Sequence, residues 1–199
     1  MSNKKIGFIG AGNMATAIIN GMIGNKAKEP SMIYVFDLDN AKLDIMKQKD
    51  VNACASANEA VEKSDIIVLA VKPQNYEEVL LGIKSSVTAE KVFVTIAAGI
   101  SISYVTETLG VNCPAVRVMP NTPLLLGYGA TAMCRSENIS DEDFNEIYKM
   151  FSLSGEVCLF SESKMNEVIS INGSSPAYFY LFALAMKQYA EEAGFDGET

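Results

Sequence analysis

Lys5-Ile-Gly-Phe-Ile-Gly10-Ala-Gly-Asn-Met-Ala15 is the stretch that decides the fold. Its first five residues form a short apolar run of strand type, and the glycines after it open a helical pattern over residues 13–23. This is the G-x-G-x-x-G/A arrangement in strand–turn–helix context, where a dinucleotide rests its diphosphate on the amides of a helix N-terminus. Gly10 permits the tight turn, Gly12 lets the backbone approach the diphosphate, and Ala15 lets helix and strand pack closely. Ala11, Asn13 and Met14 supply further amides of the turn.

Outward from that stretch the alternation repeats. Residues 32–36 read as a second strand, 41–49 as a second helix and 51–55 as a short third strand. The runs at 65–71 and 91–97 are nearly continuous in apolar side chains, which suits parallel strands covered by helices on both faces. Residues 76–83 carry helical periodicity between them. A helix at 103–109 stops at Gly110, strands follow at 115–119 and 130–134, and Ser140-Asp-Glu-Asp143 reads as a capped helix start. Residues 157–160 are the last strand. The pattern predicts an α/β protein with a Rossmann-type, doubly wound, mostly parallel sheet. From about Ser163 onward only helix is expected, at 165–171 and 176–193, with Pro176 in a first helical turn. The chain divides into a dinucleotide-binding domain at 1–162 and, at 163–199, the first helices of a helical domain that it does not complete.

Composition removes several function classes. Of 199 residues, 49% are hydrophobic and none is histidine, which excludes Ser-His-Asp and Cys-His nucleophiles and histidine-bound zinc. With 16 basic and 24 acidic side chains the net charge is −8, which disfavours nucleic acid and anionic membranes as partners. Cys54, Cys113, Cys134 and Cys158 lie far apart without a C-x-x-C pair, so they read as small buried or half-buried thiols and no metal site is expected. No segment reaches about 18 consecutive apolar residues, and the first residues carry no signal-peptide pattern. A cytoplasmic protein is expected.

Further site residues are sought at the carboxyl ends of the strands, where an open α/β sheet leaves its crevice. Asp37 ends the second strand roughly 20 residues beyond the glycine turn, the spacing of the acid that accepts the adenosine ribose hydroxyls, although a solvated loop aspartate fits too. A carboxylate there repels a 2′-phosphate of about −2 charge, and Leu38, Asp39 and Asn40 bring no arginine, so NADH is expected to serve at least as well as NADPH. Ala70-Val71-Lys72-Pro73 and Ala97-Ala98-Gly99 end the two central strands with small residues beside which a nucleotide can lie. Lys72 either reaches a phosphate or ribose or is a surface lysine. Asn58, read in the loop after the third strand, either meets the adenosine side or caps the next helix. Met119-Pro-Asn-Thr-Pro123 is either a rigid structural loop or part of the site.

Taken in order and spacing, the glycine turn, Ala-Val-Lys-Pro, Ala-Ala-Gly, Met-Pro-Asn-Thr-Pro and Asn172-Gly-Ser-Ser-Pro-Ala-Tyr178 resemble the pyrroline-5-carboxylate reductases, from near Met1 to about Gly194. The resemblance implies hydride transfer from NADPH or NADH to the C=N carbon of 1-pyrroline-5-carboxylate, giving L-proline. It implies that Gly10, Ala11, Gly12, Asn13, Met14, Asp37, Asn58, Ala70, Val71, Lys72, Pro73, Ala98 and Gly99 line the cofactor, with Asn121, Gly173, Ser174 and Ser175 near the nicotinamide and substrate. No general acid or base is assigned, since a protonated imine can take its proton from water. Two departures stand out. Members of the family often carry a small neutral residue at the position of Asp37. The family's helical domain, which forms a dimer and binds the substrate carboxylate through a Ser-Pro-Gly-Gly-Thr-type loop, extends past Thr199. The 199-residue chain alone is therefore expected to bind cofactor, to expose apolar helix surface and to show little reductase activity. Two other readings remain at this stage. One is a reductase of the hydroxyacid-dehydrogenase type, for which Lys164 is the available lysine; the other is a non-catalytic dinucleotide-binding module.

Overall fold

The computed structural model describes residues 3–196; Met1, Ser2 and residues 197–199, on which the expected outer limits of the two domains and the end at Thr199 fall, lie outside the described residues. Among the described residues eight strands, β1 (Ile6–Ile9), β2 (Ile33–Phe36), β3 (Asn52–Ala53), β4 (Ile66–Leu69), β5 (Val92–Thr95), β6 (Ala115–Met119), β7 (Gly129–Arg135) and β8 (Gly155–Leu159), form one sheet. Their order is β3-β2-β1-β4-β5-β6-β7-β8, with β7 antiparallel to β6 and the other neighbours parallel. The chain thus winds outward from β1 in both directions, and the order reverses between β1 and β4. This is the expected doubly wound, mostly parallel sheet.

The strands are apolar on both sides because both sides are covered. In β4, Ile66 and Val68 pack with residues of α1 (Asn13–Gly24), α2 (Asn40–Lys47) and α6 (Asp141–Ser152), while Ile67 and Leu69 face the opposite way. There they meet α3 (Ala57–Glu62), α4 (Tyr76–Ile83), α5 (Ile102–Leu109) and α7 (Met165–Val168). Four helix starts are capped by side chains, at Ser140 as expected: Asp39, Ser56, Ser101 and Ser140 accept hydrogen bonds from the amides of Ala41, Glu59, Tyr104 and Asp143. Gly110 takes a left-handed conformation after α5, as its placement suggested.

Several boundaries differ from expectation. The runs read as strands at 65–71 and 91–97 end as strands at Leu69 and Thr95; Ala70 adds one further bond to β1, and the apolar residues beyond pack on the core. The second helix ends at Lys47, and Met32 belongs to a short turn that starts at Pro30. The helix expected at 165–171 is α-helical only to Val168 and then widens into a π turn, Ile169–Gly173, before α8 (Ser175–Glu192) begins. Of α8, Pro176 alone is buried; Phe179 is 72% exposed and Tyr189 73%. This is the exposed apolar helix surface that was expected. At the sheet's far edge β8 begins against β7 through two glycines. A Cβ on Gly155, whose φ is +146°, would lie 2.0 Å from the Gly129 carbonyl oxygen.

Candidate functional site

The glycine turn sits where the strand order reverses. Gly10 donates its amide to the Phe36 carbonyl at 2.7 Å, and Ala70 donates to the Ile9 carbonyl at 2.8 Å, so the turn is seated between the ends of β2 and β4. Gly10 has φ +103°, and a Cβ there would stand 2.6 Å from the Ala70 carbonyl oxygen. Its lack of a side chain is required by the protein itself. Gly12 is different. Its φ of −71° suits any residue, and a Cβ would meet nothing within 4 Å. The backbone is bare there beside open space in front of the first amides of α1.

That helix start is also left uncapped: no side chain accepts from it and no acid stands in its first turn, whereas α2, α3, α5 and α6 are each capped by a side chain. Amides at the positive end of a helix dipole, facing space cleared of side chains, fit the diphosphate of a dinucleotide. Ala11 is the exception within the turn. Its amide donates to Asp37 Oδ2 at 2.7 Å, which leaves Gly12, Asn13 and Met14 to face an anion.

Asp37 therefore clamps the turn as well as ending β2. Its Oδ1 accepts from the Asp39 amide at 2.9 Å, and Lys42 Nζ lies 3.4 Å from Oδ1 and 3.5 Å from Oδ2. Burial by itself raises the pKa of this carboxyl, but the two amides and the Lys42 charge outweigh it and hold the group below its ordinary value. Lys42 is a cation that the sequence reading passed over by looking only at residues 38–40. The signal was available: Asp39 caps α2, which places residue 42 one turn along, on the side of its cap.

At the neighbouring strand ends, Ala70 and Val71 are half-buried, while Lys72, Pro73, Ala98 and Gly99 are exposed around the crevice. Tyr76, buried, donates its hydroxyl to the Leu69 carbonyl at 2.7 Å and lies 2.9 Å from Thr95 Oγ1, so it ties the ends of β4 and β5 together. Burial pushes its pKa well above the usual phenol range.

Asn58 requires correction. It lies inside α3 rather than in a loop, Ser56 takes the capping role, and both ends of its amide are occupied. Nδ2 donates to the Gly82 carbonyl at 3.0 Å, and Oδ1 accepts from Ser86 Oγ at 2.8 Å.

A second cluster forms at the end of β6. Asn121, buried, accepts from the Ala130 amide at 2.9 Å and donates to Asn172 Oδ1 at 3.1 Å. The Met-Pro-Asn-Thr-Pro loop and the Asn172-Gly-Ser-Ser motif are thus brought together, although far apart in sequence. Ser174 and Ser175 follow directly, at the start of α8. The turn Thr122–Leu126 packs on α1, which joins this cluster to the helix of the glycine turn.

Elsewhere, Cys54, Cys113 and Cys134 are buried thiols pushed by desolvation up to about 11. Cys158 is exposed, neither buried nor half-buried as expected. Lys164 is exposed and lies 3.5 Å from Glu167. A cavity of about 430 Å³ lined by Cys134, Arg135, Phe144, Leu159 and Glu162 lies where β7 and β8 end. Because β7 is antiparallel to β6, that end is opposite to the glycine turn.

Comparison with known proteins adds the following. A family model described as "NADP oxidoreductase coenzyme F420-dependent" matches residues 5–99, and one described as "Pyrroline-5-carboxylate reductase dimerisation" matches residues 162–199. The pyrroline-5-carboxylate reductase of Escherichia coli strain K12 is 36% identical over 192 residues, which is 96% of this chain and 71% of that protein. The solved structure of a pyrroline-5-carboxylate reductase from Coxiella burnetii superposes with a TM-score of 0.88 at 31% identity, covering 99% of this chain and 74% of that one. The Plasmodium falciparum pyrroline carboxylate reductase, solved with NADP bound, gives a TM-score of 0.88 at 30% identity over 100% of this chain and 73% of the other.

Proposed function

The chain belongs to the pyrroline-5-carboxylate reductase family, and on that premise we propose that it reduces 1-pyrroline-5-carboxylate to L-proline, the last step of proline biosynthesis. The observation that carries the cofactor half of this reading is Gly12, bare beside open space at an uncapped helix start. When bound, a reduced nicotinamide supplies the hydride. The amides of Gly12, Asn13 and Met14 hold the diphosphate, with Asp37 facing the adenosine ribose. Residues 70–73 together with Ala98 and Gly99 line the remaining crevice. Asn121, Gly173, Ser174 and Ser175 stand on the substrate side. The protein's main contribution is to hold donor and acceptor carbons about 3–3.5 Å apart. The proton on the ring nitrogen comes from water, because the chain has no histidine and the Tyr76 hydroxyl is engaged between Leu69 and Thr95.

The cofactor preference turns on one pair. Asp37 is held ionised and opposes a 2′-phosphate, while Lys42 beside it supplies a partial counter-charge. NADH therefore serves at least as well as NADPH, without excluding it. Residues 1–162 act as the dinucleotide-binding unit, and residues 163–199 begin the unit through which copies associate, a division supported by the dimerisation-model match at 162–199. Among the described residues no helix is long and apolar enough to cross a membrane, and a cytoplasmic site of action accompanies this reading.

The test is turnover with both coenzymes. Proline must appear in step with coenzyme oxidation when 1-pyrroline-5-carboxylate is added. Turnover by these 199 residues alone is expected to be slow, so proline is collected over long incubation; a folded protein that makes none overturns the activity, and a tenfold kcat/KM preference for NADPH overturns the cofactor reading alone.

A further inference from the structure

The π turn between α7 and α8 holds a side chain that the assigned site does not use. Asn172 donates through Nδ2 to the Met119 carbonyl at 2.9 Å and to the Ala130 carbonyl at 2.8 Å, and its Oδ1 accepts from Asn121 Nδ2 at 3.1 Å. Since Asn121 Oδ1 also accepts from the Ala130 amide, the two asparagines and Ala130 close a ring of hydrogen bonds at the end of β6. The next residue comes closer still: a Cβ on Gly173 would lie 2.6 Å from Met119 Cε. Beyond that point α8 buries only Pro176. The π turn is therefore what holds the start of α8 against the sheet, and single π turns inside helices recur at functional sites.

We infer that Asn172 is a positioning residue for the reduction: it latches Gly173, Ser174 and Ser175 to the carboxyl edge of β6, so that the substrate side of the site is held in register with the glycine turn. The inference rests on the functional reading above for what those three residues face. The latch depends on donation, because both partners of Nδ2 are carbonyl oxygens. An aspartate of nearly the same shape has no hydrogen to give and sets a charge against two carbonyls, whereas a serine keeps one donor.

The experiment compares Asn172→Ser, Asn172→Ala and Asn172→Asp with the parent protein. The expected loss in kcat/KM for 1-pyrroline-5-carboxylate rises from Ser through Ala to Asp and reaches tenfold or more, as a small misplacement of reacting groups can produce. The Kd for NADH stays within about twofold of the parent, since the glycine turn is untouched. Near-parental kcat/KM in Asn172→Asp would show that shape and not donation matters, and would overturn the inference. So would a loss of NADH affinity parallel to the loss of turnover, which marks general damage. If the Ala and Asp variants do not fold, Asn172→Ser decides. Hydrogen exchange at residues 169–175 gives a readout besides activity: the latch requires faster exchange there in every variant, with β1 and β4 unchanged. A parent that makes no proline but shows this exchange pattern in its variants would overturn the functional reading while keeping the latch.

Discussion

α1 and α8 both begin without a side-chain cap, yet they relate to the rest of the molecule in opposite ways. The twelve residues of α1 bury Ala15, Ala17, Ile18, Ile19 and Met22 against the sheet. The eighteen of α8 bury Pro176 alone and leave Phe179, Leu181, Phe182 and Tyr189 in the open. A helix that is apolar around its circumference is built to be enclosed. For α1 the enclosing surface lies within this chain. For α8 the described residues of this chain provide none, and the model described as "Pyrroline-5-carboxylate reductase dimerisation" matches residues 162–199. The comparison teaches that hydrophobic patterning along a helix is not by itself a measure of the burial that the described residues provide.

The largest expected effect tests this contrast directly. Phe8→Ala, in the middle of β1 and fully buried, should cost about 3–5 kcal/mol of unfolding free energy. Phe182→Ala in α8 should change the dilute monomer by no more than about 0.5 kcal/mol and should instead weaken association, seen as a lower mass by light scattering. Equal losses in urea unfolding of the monomers would break the comparison.

The next pair sharpens it within a single turn. Gly10→Ala must accept a φ of +103° and a carbonyl at 2.6 Å, and should lose about 1–3 kcal/mol, read as a fall of about 2–4 °C in Tm per kcal/mol. Gly12→Val should leave Tm unchanged while raising the Kd for NADH tenfold or more. A Tm loss without a binding loss at Gly12 would mean that protein packing, not a ligand, requires the glycine.

The smallest effect concerns pH. The lowered pKa of Asp37 means that its carboxylate is favoured in the folded state, so its contribution is present above the ordinary aspartate pKa of 3.8 and fades as the pH falls below that value. Asp37→Asn should flatten the acid limb of Tm against pH between about 5 and 2. An unchanged limb would show that the bond to Ala11 adds nothing to stability.

Much of the sheet was legible because β4 and β5 carry continuous apolar runs and because the glycine turn fixes where the crevice opens. The strand ends were not, for Ala97 is buried without pairing, and burial is all that hydrophobicity reports. The start of α3 was not legible because six residues are too few to show a period, and Asn58 was placed before that helix instead of inside it. The π turn was illegible for a related reason: a change of helical pitch leaves no mark in a pattern read at 3.6 residues per turn. In the site, Asp37 was found by spacing, but its bond to Ala11 and its pairing with Lys42 depend on how α2 leaves β2. The meeting of Asn121 with Asn172 depends on the whole fold.

The back-to-back glycines that start β7 and β8 have a consequence for how this protein can vary. A methyl group on Gly155 strikes the main chain of Gly129, and one on Gly129 strikes Leu124 and the Ser154 carbonyl. Neither residue can be exchanged first. At the start of these two strands the glycine pair is therefore fixed by its own backbone, and an engineer wishing to graft a new strand there must keep both glycines or rebuild that start in one step.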